Sequence, residues 1–199
     1  MPANKIRKSR IKRETKETKI DLALQIDGTG QYKIDTPIPF FNHMLEAFAR
    51  HGLFDLTVKA SGDVEVDDHH LVEDVGLVLG QAFVKAVGAK AGMVRYGHFS
   101  LPMDDTLANV AVDFCGRPAL VYNSPVKRGK IKKFDLELVH EFFQAITNEA
   151  GLNLHINVPY GKNKHHVVEA IFKSFAKSMD RATQLDPRIS HVLSTKGSL

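Results

Sequence analysis

Asp67-Asp68-His69-His70-Leu71-Val72-Glu73-Asp74 decides how this chain is read. Two adjacent histidines are followed, four residues after the first, by a glutamate. The chain repeats the pattern once, as His165-His166-Val167-Val168-Glu169. Each copy opens an apolar run of helical period. Successive side chains on a helix stand about 100° apart, so residues four apart share a face. His69 and Glu73 can converge on one ion, and His165 and Glu169 can do the same. His70 and His166 point toward a different ion or a different wall. One such match is readily a helix cap or a solvated face. Two matched copies favour a metal site.

The flanking sequence repeats as well. Thr18 to Ile26 alternates apolar and polar residues as a half-buried strand does. Asp27-Gly28-Thr29-Gly30 reads as a hairpin turn, with Gln31 to Asp35 returning as a strand. Phe40 to His51 reads as a helix ended by Gly52, Leu56 to Ala60 as a strand, and the first histidine pair as the start of a helix running to about Val87. After a Gly/Ala-rich junction at 88–92 the order recurs. Leu107 to Phe114 is a strand, Glu137 to Ala150 a helix ended by Gly151, Leu154 to Val158 a strand, and the second histidine pair opens a helix to about Leu185. The tail beyond is polar and loop-like. The expected unit is strand, strand, helix, strand, helix, duplicated. This is an α+β chain with first half 1–92 and second half 93–199, forming one compact unit in which each half is a small sheet with helices on one face.

Repeat spacing extends the candidate set. His43, near the start of the first helix, lies 13 residues before Leu56, and Glu141 lies 13 before Leu154. That spacing prefers Glu141 to the adjacent His140. Eight candidate ligands result: His43, His69, His70, Glu73, Glu141, His165, His166 and Glu169, or four for each of two ions. Imidazole mixed with carboxylate argues against calcium, and the lack of thiolates argues against a Cys-type zinc site. Manganese, iron and zinc remain. Glu17 stands before the first strand, and Asp105 is its repeat counterpart. A carboxylate beside a metal can act as general acid or base. Arg95, Arg117, Lys173 and Ser194-Thr195-Lys196-Gly197 are candidate phosphate ligands.

Composition bounds the class. One cysteine in 199 residues rules out an internal disulfide and suits a reducing, cytoplasmic setting. No apolar run is long enough for a bilayer, and no secretory core follows the basic N-terminus. The net charge of +4 is concentrated at Lys5 to Lys19 and Lys127 to Lys133. Such clusters suit a phosphorylated substrate or, less well, RNA. An RNA-binding module leaves the matched histidines unexplained. A metal-dependent hydrolase or another lyase acting on a phosphorylated substrate is the nearer rival.

FFNHMLEAFARHGLFDLTVKASGD, DDHHLVEDVGLVLGQA, LPMDDTLANVAVDFCGRP and HHVVEAIFKSFAKSMDRAT, with a closing STKG, closely resemble imidazoleglycerol-phosphate dehydratase in its monofunctional form. The resemblance runs from about Arg13 to Gly197. It implies two half-domains of the ribosomal protein S5 domain 2-like type. The implied reaction is dehydration of D-erythro-imidazole-glycerol phosphate to imidazole-acetol phosphate in histidine biosynthesis, at a site with two Mn²⁺ ions. It further implies a particle of twenty-four chains with active sites between subunits, and neither nucleic acid nor membrane as partner. Carried over by position, the metal ligands are the eight named above. Substrate contacts fall on Glu17, His43 to His51, His69, His70, Glu73, Arg95, Arg117, His165, His166, Glu169, Lys173, and Ser194 to Lys196. Glu17 is expected to move the proton, since it is the substrate-contacting carboxylate outside the metal set.

Overall fold

A computed structural model describes residues 6–197, so Lys5 of the N-terminal basic cluster lies outside them. The first half runs β1 (Lys8–Glu14), β2 (Thr18–Gln25), β3 (Tyr32–Asp35), α1 (Pro39–Gly52), β4 (Asp55–Gly62) and α2 (His69–Val87). The second runs β5 (Tyr96–Met103), β6 (Thr106–Asp113), β7 (Ala119–Asn123), a short hairpin of β8 (Lys130–Ile131) and β9 (Phe134–Asp135), α3 (Glu137–Ala150), β10 (Asn153–Tyr160) and α4 (Lys164–Thr183). The four-stranded sheets have orders β1-β2-β4-β3 and β5-β6-β10-β7, so the duplication holds down to strand order.

Two expectations from the sequence need correction. The repeat unit has three strands before its first helix, not one or two. The turn at 27–30 does not close a hairpin either. β3 crosses to the far side of β4 and pairs with it in parallel, and β2 pairs antiparallel with β4. Asp55 imposes this path, because its carboxylate accepts from the backbone N–H of Thr29 and Gln31 at 2.8 and 3.0 Å and so bends the chain toward β4.

β1 is polar by sequence yet ordered, and the physical reason is local. Its inward residues are Ser9, Ile11 and Arg13. Ser9 Oγ donates to the Ala82 carbonyl of α2, and Arg13 reaches Asp74 on the same helix. Its outward Arg10 and Lys12 pair with Asp21 on β2, and Arg10 holds that carboxyl down at about 2. Much of the N-terminal basic run is thus neutralised inside the sheet. Buried Asp74 also accepts from Thr18 Oγ1, so one carboxylate clamps the β1–β2 turn onto α2. Asp74→Ala leaves Arg13 and Thr18 without that partner. It should lower stability by about 2 kcal/mol, a value discounted for the partial exposure of Arg13. A drop of several degrees in the thermal midpoint of the metal-free protein checks this.

The helices occupy the space between the two sheets. α2 lies on β1 and β2, and α4 lies on β5 and β6. Across the halves, α1 packs on α4 and α3 on α2. The seam is aromatic: Phe41, Phe48, Phe54, Phe83, Phe142, Phe143, Phe172 and Phe175 are fully buried and in mutual contact. Burying such rings contributes roughly 1.5–3 kcal/mol each against leaving them in water. α4 sits so close to β5 that a Cβ at Gly97 would lie 1.8 Å from the Ser178 carbonyl oxygen. Glycine there is required by the approach of the helix to the strand.

Candidate metal centre and anion pocket

A side chain accepts from the first turn of each helix: in α4 it is the N-cap Asn163, and in α2, where the N-cap Asp68 makes no such bond, it is Asp67 one residue earlier. Asp67 Oδ1 accepts from His69 N–H at 2.8 Å, and Asn163 Oδ1 accepts from the N–H of His165 and His166 at 2.9 and 3.4 Å. These bonds fix the first helical turn, and with it the directions of the imidazoles. α1 and α4 run side by side with their N-termini together. His43 of α1 therefore meets His165 and Glu169 of α4. His165 Nε2 is 2.9 Å and His43 Nε2 3.5 Å from Glu169 Oε2, and one ligand atom from each residue lies within 4.8 Å of the others.

The same crossing recurs on the other side of the pseudo-twofold, in more open form. His69 Nε2 is 3.8 Å from Glu73 Oε2. Glu141 of α3 lines the groove that holds Asp68 and His69, together with Lys130 and Lys133 of the basic hairpin run. His140 packs edge-on against the Tyr122 ring, and its Nδ1 lies 3.2 Å from Glu141 Oε1. Within one chain, the described residues thus bring three of the eight candidates to a common point. His70 and His166 face other walls. His70 Nδ1 approaches Asp63 at 3.1 Å and Glu17 at 4.0 Å, and His166 Nδ1 approaches Asp105 at 3.1 Å.

The electrostatics follow from these neighbours. Burial pushes the Glu169 carboxyl up, but Lys173 at 2.7 Å, His165 and His43 outweigh it and hold the group below its usual range. Its ionised form therefore stabilises the fold at neutral pH. That contribution is complete above the unfolded value, near pH 4.3, and disappears as pH falls through the lower folded value. In metal-free protein, wild type should lose stability relative to Glu169→Gln on acidification below about pH 4, as urea unfolding at stepped pH would show. The hydrogen bond to Asp63 holds His70 above the ordinary imidazole value, and the bond from His166 holds Asp105 below its own. Burial and then Lys173 push His51 down. His51 sits two turns along α1 from His43, beside Lys173.

A second feature lies at the other end of α4. A cavity of about 720 Å³ is lined by Arg95, Arg117, Arg188, His191, Ser194 and Lys196. Arg95 has a left-handed backbone (φ 74°) and organises this wall. It forks onto Asp113 at 2.6 and 2.9 Å, donates to the Leu193 carbonyl at 2.7 Å, and lies 4.6 Å above the Tyr96 ring. Three of its five N–H donors are spent, and two remain for a ligand. Five of the sequence-derived phosphate candidates, Arg95, Arg117, Ser194, Thr195 and Lys196, come together here. Lys173 does not, since it is bound to Glu169 in the middle of α4. Arg188 and His191 were not singled out by sequence. They sit in a polar tail without periodicity, and only their proximity to STKG hinted at a role.

The donor set fits a divalent transition cation. Two imidazoles and a carboxylate converge with no thiolate nearby, as manganese, iron or zinc accept. Fold and site together define a class: a duplicated α+β protein with a candidate His/His/Glu metal-binding group and, apart from it, a cavity lined by basic side chains. The family model described as imidazoleglycerol-phosphate dehydratase matches residues 36–179. An imidazoleglycerol-phosphate dehydratase of Geobacter metallireducens is 60% identical over 97% of this chain and 99% of its own length. That of Syntrophus aciditrophicus is 51% identical over 98% and 99%. The Staphylococcus aureus crystal structure superposes with a TM-score of 0.81 at 38% identity, covering 90% of this chain and 99% of that one. The Pyrococcus furiosus structure gives 0.81 at 32%, covering 95% and 100%. This chain belongs to the imidazoleglycerol-phosphate dehydratase family.

Proposed function

We propose that this chain dehydrates D-erythro-imidazole-glycerol phosphate to imidazole-acetol phosphate in histidine biosynthesis, as a cytoplasmic enzyme using two Mn²⁺ ions. Family membership over nearly the whole chain supports the reaction, and the His43, His165 and Glu169 cluster supports the metal. No described helix is long and apolar enough to cross a membrane. The eight candidates His43, His69, His70, Glu73, Glu141, His165, His166 and Glu169 would hold the ions. Arg95, Arg117, Ser194 and Lys196 would hold the phosphate, with Lys173 and His51 contacting substrate on the histidine side. The halves 1–92 and 93–199 act as one unit.

The separation of the two features supports a site shared between copies. Arg95 N–H bonds the Ala182 carbonyl, at the far end of the helix that carries His165 in its first turn. Seventeen residues of helix span about 25 Å. An imidazole carrying a three-carbon phosphate ester is much shorter, its bonds being about 1.5 Å each. One substrate cannot touch both ends of α4 in one chain. The basic pocket of one copy must instead approach the histidines of another, as a closed assembly of twenty-four chains would arrange.

Bound Mn²⁺ supplies Lewis-acid stabilisation of charge developing in the imidazole ring. The basic pocket fixes the phosphate and so the position of the glycerol carbons. Glu17, on the β1–β2 turn, is half-exposed, and its carboxylate accepts no hydrogen bond among the described residues. It is free to take the proton from the middle carbon of the glycerol chain, one bond beyond the carbon attached to the ring. The hydroxyl on the carbon next to the ring departs as water, leaving an enol whose oxygen stays on the middle carbon and becomes the ketone of imidazole-acetol phosphate. The direct test is turnover of imidazole-glycerol phosphate by the purified chain. Release of inorganic phosphate in place of the ketone would favour the hydrolase reading.

A further inference from the structure

The two halves hold their second histidines with acids taken from different places in the repeat. His70 Nδ1 lies 3.1 and 3.2 Å from the two carboxylate oxygens of Asp63, just after β4. His166 Nδ1 lies 3.1 Å from Asp105 Oδ1, in the turn between β5 and β6. Asp105 is the repeat counterpart of Glu17, not of Asp63. An irregularity in β10 between Asn157 and Tyr160 shifts its register, and Lys162 then stands where the first half has Asp63. A lysine offers no acceptor for an imidazole N–H. The Lys162 backbone N–H instead donates to Asp105 Oδ2 at 3.1 Å and fixes that carboxylate against His166. At the corresponding point of the first half, the Asp63 N–H donates to the Glu17 carbonyl oxygen at 3.1 Å, and the Glu17 side chain stays 4.0 Å from His70.

We infer that Asp63 and Asp105 are positioning residues that hold His70 and His166 in the Nδ1–H tautomer, and that Asp63 thereby releases Glu17 for proton transfer. An imidazole donating from Nδ1 to a carboxylate presents its Nε2 lone pair outward, with the ring orientation fixed. Around His166 Nε2 the nearest charged group is Asp104, at 3.5 Å and mostly exposed. The duplicated halves have therefore diverged. One turn acid orients a histidine, and its counterpart is left for chemistry because another acid does the orienting.

This inference rests on the reading of His70 and His166 as metal ligands, and its test separates the two. Mn²⁺ affinity of the full-length, metal-stripped protein is measured by the electron paramagnetic resonance of free Mn²⁺, alongside the thermal midpoint. Asp63→Asn and Asp105→Asn should each weaken Mn²⁺ binding by about 10–100-fold with little change in midpoint, and Asp63→Ser and Asp105→Ser should do the same. Glu17→Gln should bind Mn²⁺ as wild type does. If His70→Ala and His166→Ala lose Mn²⁺ while all four aspartate variants bind it normally, the positioning role is overturned and the metal reading stands. If the two histidine variants also bind normally, the metal reading itself falls.

Discussion

Glu169→Gln is expected to lower turnover by about 10³-fold and to strip metal from the protein while leaving the fold intact. Glu169 is the one buried carboxylate of the candidate centre, and two imidazoles and Lys173 converge on it. Glutamine keeps the shape and removes the charge. Lys173 then faces a neutral amide, and the cation loses its anionic ligand. A Lewis acid contributes several kcal/mol to stabilising developing charge, and each 1.36 kcal/mol is a factor of ten in rate. Elemental analysis and steady-state turnover of the variant measure both parts. Full metal content in Glu169→Gln would remove the cluster from the site.

Glu17→Gln gives the second large effect and separates chemistry from metal binding. Glu17 is not among the eight proposed ligands, it lies on a turn clamped to α2 by Asp74, and its carboxylate accepts no hydrogen bond among the described residues. General acid–base groups contribute about 10²–10⁴-fold. Turnover should therefore fall by about 10²-fold or more, with metal content unchanged. Near-normal turnover would sink the assignment of proton transfer to Glu17. Metal loss in this variant would move Glu17 into the ligand set.

The legible and illegible parts of the fold divide on physical lines. α1, α2 and α3 ended within a residue or so of their sequence-derived limits, and α4 within about two, because apolar period and capping residues agree along them. β1, β5 and β7 were missed, as was the hairpin of the two-residue strands β8 and β9. β1 carries a single aliphatic residue and satisfies its inward face with Ser9 and Arg13. β5 has Gly97 at an inward position because the α4 backbone takes that space, and a Pro102 that only an edge strand admits. β7 is a five-residue edge strand. Edge strands bury little, so they leave little pattern. His43 lies close to His165 and Glu169, and Glu141 lines one groove with His69. Asp63 could not be found by spacing, because its counterpart is Lys162 and the register there shifts by a residue. The placing of the histidines and the basic pocket at opposite ends of α4, about 25 Å apart along the helix, was also invisible in sequence, since residue spacing within a motif says nothing of the distance to another motif.

One measurement bears most directly on the whole account. The purified chain is stripped with EDTA, assayed for conversion of imidazole-glycerol phosphate to imidazole-acetol phosphate, then restored with Mn²⁺ and assayed again with metal content determined. The account predicts loss of turnover on stripping, and its return as the chain takes up Mn²⁺. Turnover that survives complete stripping, or that Mn²⁺ fails to restore to a folded protein, would contradict it.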